Sequence, residues 1–317
     1  MDIKQLKAIV TVAEVGSVTR AAELLHLVQP AVTRQIRTLE QELGIDLFER
    51  TGQGMRLTEA GATMVDRARR ALTELERARA EVQPTPGKVA GIVTVGLLES
   101  ISDLLAETLV TAIARDHPGV ELRLMTAYSG HLQQWLDQGD VDLTLLYDLN
   151  STPSLHALPL ARERLWVVAP ASAGLRNDRP VPFREAASHP LVMPTQGHGL
   201  RSLIDAAAVR AGSSMDIVVQ TNSMRVQKQL VLAGHGWTVL PGVGIAEDVV
   251  HGTLSAAPLS EPDVWRSIAL VTPRAGRTPA AVKVVAGELI QQVNSAVAQG
   301  RWPSAQLPVA EARAGLE

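Results

Sequence analysis

Between Ile3 and Leu57 apolar positions recur at helical spacing in short blocks, each closed by glycine or polar punctuation. Leu6, Ile9, Val10 and Ala13 share one face of a first helix, which Gly16 ends, and Ser17 or Thr19 can cap the next. The second helix, roughly Thr19 to Leu25, presents Ala21, Ala22, Leu24 and Leu25, and its small alanines let another helix approach closely. A third, from about Pro30 to Leu43, buries Val32, Ile36, Leu39 and Leu43 and leaves Thr33, Arg34 and Arg37 on the solvent side. Two short helices joined by a tight turn cross steeply, so the second can project from its domain and enter a DNA major groove. Pro30 costs little at the start of that helix, because first-turn amides have no partner inside it. The following "LFERTGQGMRLTEAG" reads as a strand, a turn at Gly52-Gln53-Gly54 and a returning strand, a β-wing with Arg50 and Arg56 at its base. The same pattern is compatible with a helical dimerisation module whose arginines are only solvated.

From about Thr58 to Val82 the apolar positions Met64, Ala68, Ala71, Leu75, Ala78 and Val82 fall four and three apart, a heptad seam with charged residues around it. Pairing with a second subunit and packing on the same chain both fit that seam. Pro84-Thr85-Pro86-Gly87 then breaks the helix and marks a boundary. Beyond it the period alternates. "GIVTVGLL", "VELRLMTA" and "VDLTLLYD" are strands, separated by amphipathic helices, and the βαβ succession predicts a parallel sheet with helices on its faces. A second set follows after about Leu160, and a last strand, "WRSIALVTP", and a helix from Pro279 to Ala298 remain. The expected domains are 1–58, 59–87 and 88–302, the last divided into lobes at 88–160 with 266–302 and at 161–265. Residues 303–317, rich in Pro and Ala, are expected to be a disordered tail.

Composition narrows the function more than it narrows the fold. The 317 residues carry a net charge of −3 and no cysteine. Charge is nearly balanced through residue 88 and slightly acidic beyond it, so any DNA binding depends on the placement of a few arginines. Absence of cysteine removes disulfides and thiolate metal sites and suits a reducing cytosol. The first residues do not read as a signal peptide, and no window approaches the apolar run of about 18 residues that spans a bilayer, so a soluble cytoplasmic protein is expected.

"AAELLHLVQPAVTRQIRTLEQELGIDLFERTGQGMRLTEAG" resembles the winged helix-turn-helix of the LysR-type transcriptional regulators in residue type, spacing and wing. One position departs: the family commonly has Ser or Thr before the Gln-Pro pair, where this chain has Val28, which cannot accept a hydrogen bond from a first-turn amide. The resemblance implies a linker helix and a two-lobed, periplasmic-binding-protein-like α/β effector domain, with the last strand and helix returning to the first lobe. It also implies self-association as a dimer or tetramer, double-stranded DNA as partner and a small-molecule effector. Gln29, Pro30, Thr33, Arg34, Arg37, Arg50 and Arg56 are the expected DNA-contacting residues.

In open α/β sheets small molecules bind beyond the carboxyl ends of strands, near free helix N-terminal amides. Ser100 and Ser102, Tyr128 and Ser129, Thr195, His198 and Arg201, and Asn222 occupy such positions and would suit an organic anion. Each hydroxyl could equally cap its own helix, and Arg201 could pair with Asp205 at i,i+4. By resemblance Ser100, Ser129, Thr195 and Asn222 fall at or near effector-contacting positions. Gly242-Val243-Gly244 lacks the third glycine of a dinucleotide fingerprint, and the eight histidines have no metal-ligand spacing. No cofactor, metal or catalytic residue is therefore expected. The alternative reading is a small-molecule-binding or metabolic enzyme domain carrying a helical interaction module.

Overall fold

The computed structural model describes residues 1–52, 54–82, 89–147, 155–274 and 278–308, and the chain divides into two compact units, Met1–Pro84 and Thr85–Glu317. Gln53 of the wing turn, the Pro84–Gly87 break and positions 309–317 of the tail lie outside the described residues.

The first unit comprises α1 (Ile3–Val15), α2 (Val18–Leu24), α3 (Gln29–Leu43), β1 (Phe48–Thr51), β2 (Gly54–Leu57) and α4 (Glu59–Val82). Asp2 and Gln5 cap α1 reciprocally, each side chain accepting from the other's backbone N–H at 2.8 and 2.7 Å, and Gly16 closes it in the left-handed region at φ 65°. Leu6, Ile9 and Val12 of α1 meet Ala21, Val32, Ile36 and Leu39 in one core. The antiparallel pair β1–β2 sets Glu49 opposite Arg56. Gly54 allows the wing to reach the end of α1: Met55 N–H donates to the Gly16 carbonyl at 3.0 Å, and a Cβ on Gly54 would collide with that oxygen.

The heptad seam of α4 is divided. Met64 and Ala68, with Val65, pack into the unit's own core, so the N-terminal half of the helix does not present a free seam. Ala71, Leu75 and Ala78 are exposed, Leu75 at 40%, while the side chain of Val82 lies outside the described residues.

The second unit runs β3 (Ala90–Leu98), α5 (Glu99–Asp116), β4 (Gly119–Ala127), α6 (Ser129–Gln138), β5 (Leu143–Tyr147), β6 (Leu155–Pro170), β7 (Val181–Pro182), α7 (Phe183–Ala187), β8 (Leu191–Met193) and α8 (Gly199–Ala211). It continues with β9 (Ile217–Gln220), α9 (Met224–Leu232), β10 (Thr238–Pro241), α10 (Ala246–Val250), β11 (Leu254–Ser260), β12 (Trp265–Pro273), α11 (Ala280–Ala298) and β13 (Ala305–Gln306). The main sheet has the order β4-β3-β5-β12-β6-β11-β7, with β10 and β13 also paired to β6. Strand β3 is parallel to β4 and β5 and is buried along most of its length, as a strand covered on both faces must be.

The sheet is mixed rather than parallel throughout. Strand β12 arrives from the second lobe and runs antiparallel to both β5 and β6, returning the chain to the first lobe, where α11 packs on α5 and β3. Strand β6 is continuous: its first part pairs with β12 and its last residues, Leu165 to Pro170, with β10 and β11. One strand thus belongs to both lobes.

Residues 303–308, expected in a disordered tail, are instead held. Trp302 is fully buried, the Ser304 carbonyl accepts from Arg164 N–H at 2.9 Å, and β13 pairs with Glu163 and Arg162. The composition of the segment does not reveal that β6 offers it a free edge. No helix among the described residues is long and apolar enough to cross a membrane.

Candidate functional site

In the first unit the polar face of α3 is available. Arg34, Arg37, Gln29 and Pro30 are exposed, and the partly buried Thr33 donates its hydroxyl to the Gln29 carbonyl at 3.1 Å while accepting from Gln29 Nε2 at 3.0 Å. Gln29 and Thr33 therefore hold each other on the first turn. Val28 is the N-cap, 70% exposed, with no side-chain hydrogen bond to the helix. On the wing Arg50 is exposed, while Arg56 pairs with Glu49 across the strands at 2.7 Å. That ion pair is solvent-exposed at both ends and adds little stability, so Arg56 can exchange it for another anion at small cost. Glu40 of α3 fixes the start of the wing by accepting from the N–H groups of Leu47 and Phe48 at 2.8 and 3.2 Å.

In the second unit a narrow cleft opens where strands β3, β5 and β10 end. Of the residues expected to contact an effector, Ser100, Tyr128, His198 and Asn222 line it. The other four do not. Ser102 donates to the Glu99 carbonyl at 2.9 Å, a back-bond within its own helix. Ser129 is buried, with its hydroxyl oxygen 3.4 Å from both the backbone N and the O of Tyr147. The Thr195 carbonyl accepts from His198 N–H at 3.2 Å, forming the turn that leads into α8. Arg201 is buried with its guanidinium on Asp205, the Pro194 carbonyl and Gln220 Oε1, at 2.8, 3.1 and 3.1 Å. Those bonds tie α8 to the β8–β9 side of the lobe and leave this arginine none of the cleft.

The cationic residue of the cleft is Arg266, which faces Glu163 across the β6–β12 ladder. Both are buried, at 2% and 0% exposure, and paired at 2.6 Å. Arg266 Nη2 also donates to Ser100 Oγ at 2.8 Å. Glu163 is fully occupied: Oε2 accepts from Nε and Nη2 of Arg266, and Oε1 accepts from Ser304 Oγ at 2.6 Å and Val243 N–H at 3.2 Å. Such an array satisfies a buried carboxylate that would otherwise be costly.

The lobes meet across the cleft, where the rings of Tyr128 and His198 lie 4.8 Å apart. Leu200 N–H donates to Tyr147 Oη at 3.2 Å, with His198 Nδ1 3.4 Å from the same hydroxyl. Gly199 permits this approach, since a Cβ there would lie 2.9 Å from the Tyr147 ring. Met224 N–H lies 3.5 Å from Glu99 Oε2. Burial, and then the charge of Arg266, lower His198 to about 4, so its ring is neutral and Nδ1 accepts from Leu200 N–H. Among the described residues no group of side chains is arranged to hold a metal ion.

Comparison with known proteins matches residues 3–62 to the bacterial regulatory helix-turn-helix protein, lysR family, and residues 86–294 to the LysR substrate binding domain. The HTH-type transcriptional regulator BbuR of Bordetella bronchiseptica is 31% identical over 303 residues, covering 96% of this chain and 93% of BbuR. The DNA-binding transcriptional dual regulator OxyR of Escherichia coli K12 is 28% identical over 271 residues, 86% of this chain and 89% of that protein. Among solved structures, full-length CbnR complexed with its target DNA shares the fold at TM-score 0.70 and 20% identity, covering 93% of this chain and 99% of that one. A full-length OxyR variant from Pseudomonas aeruginosa does so at TM-score 0.66 and 24% identity, covering 93% and 95%.

Proposed function

Because the chain belongs to the LysR family of DNA-binding transcriptional regulators, we propose that α3 and the wing read an operator while an organic acid, bound in the interlobe cleft, sets the regulatory state. The chain is a regulator and not an enzyme. In this reading Arg34, with Gln29 and Thr33, addresses base edges, and Arg37, Arg50 and Arg56 hold phosphates. The observation that carries it is the exposed polar face of α3, which holds two arginines without partners among the described residues of their own unit. The cleft supports the second half: a buried arginine and a serine hydroxyl stand at the mouth of α5, where an anionic group is favoured.

Several relatives are named as hydrogen peroxide-inducible genes activators. None of the 317 residues here is a cysteine, so a thiol-based response to peroxide is unavailable to this chain.

Binding to a selected operator tests the assignment. Arg34→Ala should lose roughly 1 to 3 kcal/mol at particular base pairs, whereas Arg37→Ala should weaken all sequences alike and flatten the salt dependence. Equal operator affinity of wild type and Arg34→Ala would remove α3 as the reading element.

A further inference from the structure

The cleft contains two charged side chains of opposite sign, Glu99 and Arg266. Arg266 spends Nε and Nη2 on Glu163 and Ser100, and its Nη1 has no hydrogen-bond partner among the described residues. Its counter-ion Glu163 does not line the cleft and has no acceptor capacity left, so the pair presents a cationic end to the empty space. The field of that end is felt inside the cleft, where it adds to burial in keeping His198 neutral.

Glu99, on the first turn of α5, is partly buried. Among the described residues its carboxylate has one hydrogen bond, the 3.5 Å contact from Met224 N–H, and a carboxylate can accept about four. A ligand with two carboxylates would set one of them against this anion, and like charges in a partly desolvated site repel. An amine without a carboxylate would leave Arg266 Nη1 without an acceptor. A molecule carrying both groups satisfies both ends and adds no net charge to the cleft.

We propose that the ligand of this cleft is a small zwitterion of the α-amino acid class, its carboxylate on Arg266 Nη1 and Ser100 and its ammonium on Glu99. This deepens the functional reading above and rests on it, since it takes the cleft to be the effector site.

Calorimetry on the full-length protein tests it with three sets of probes: the standard amino acids, the same skeletons lacking the amino group, and the same skeletons lacking the carboxylate. At least one amino acid should bind, and removal of either group should weaken it tenfold or more. Glu99→Gln should abolish the preference for that amino acid over its des-amino counterpart. A des-amino carboxylate that binds as tightly as its amino acid, an unchanged preference in Glu99→Gln, or no binding by any amino acid overturns the proposal. A parallel screen of dicarboxylates and aromatic acids separates this failure from that of the cleft itself. Hits there that Arg266→Lys weakens keep the cleft as an effector site for another class of ligand, while hits indifferent to that substitution remove the site altogether.

Discussion

His198 sits where a polar side chain meets a closing cleft, and its protonation state follows from that position. Its folded value of about 4 lies below the ordinary 6.5, so the unfolded chain takes up this proton first as pH falls. The stability held in the neutral ring is therefore complete above about pH 6.5 and is lost between 6.5 and 4, on the order of 3 kcal/mol in total. His198→Asn, which cannot titrate, should show a flatter dependence of melting temperature on pH than wild type across that window; identical slopes would mean the ring is not shielded. His198 was legible in the sequence because it stands at a helix start after a strand. Arg201 had the same credentials and is spent on Asp205, Pro194 and Gln220, contacts that depend on how α8 lies on β9. Arg266 was missed for the opposite reason. Its parity with Ile268 and Leu270 on β12 does place it on the buried face, but its partner Glu163 is 103 positions away and only the ladder register brings them together.

Among the elements, the recognition helix α3 starts without a side-chain acceptor, and its cap, Val28, is exposed rather than packed. Val28→Ser should supply an acceptor to a first-turn amide and stabilise the first unit by about 0.5 to 1 kcal/mol, seen as a raised melting temperature. An unchanged or lowered value would mean that the loop before α3 cannot turn a serine towards the helix. Helices α1 to α3 were readable because the apolar period agrees with the glycine stops of α1 and α3 and with the Ser17 cap of α2, each being local along the chain. The cleft-forming strands were readable as strands, but the antiparallel return of β12 and the continuity of β6 through both lobes were not. Those features are decided by pairing between segments 70 or more residues apart, for which hydrophobic alternation carries no address. The segment around Ser304 is similar: its Pro- and Ala-rich composition suits a tail, yet the free edge of β6 and the carboxylate of Glu163 give it partners.

At the scale of the whole molecule, α4 leaves something unfinished. It is a 24-residue helix, about 36 Å long, of which only the first half packs on its own unit. The exposed positions Ala71, Leu75 and Ala78 continue the four-three spacing beyond that contact, and an isolated helical stretch of this kind is marginal in water without a second surface. We propose that a second copy of α4, the surface with matching period, covers this stretch and that the protein associates through it as a two-fold dimer. Two-fold symmetry then requires two operator half-sites about 10 base pairs apart or a multiple of that distance. It also raises operator affinity through effective concentration, because a second α3 is already tethered when the first engages. Leu75→Glu would bury an unpaired charge in that seam, and sedimentation of the full chain should show it at half the mass of the wild-type particle or less. The same variant should lose the preference for paired over single half-sites while each α3 still contacts one. A wild type that sediments as a monomer, or a Leu75→Glu variant that associates as wild type does, would mean the exposed half of α4 is not the dimer seam.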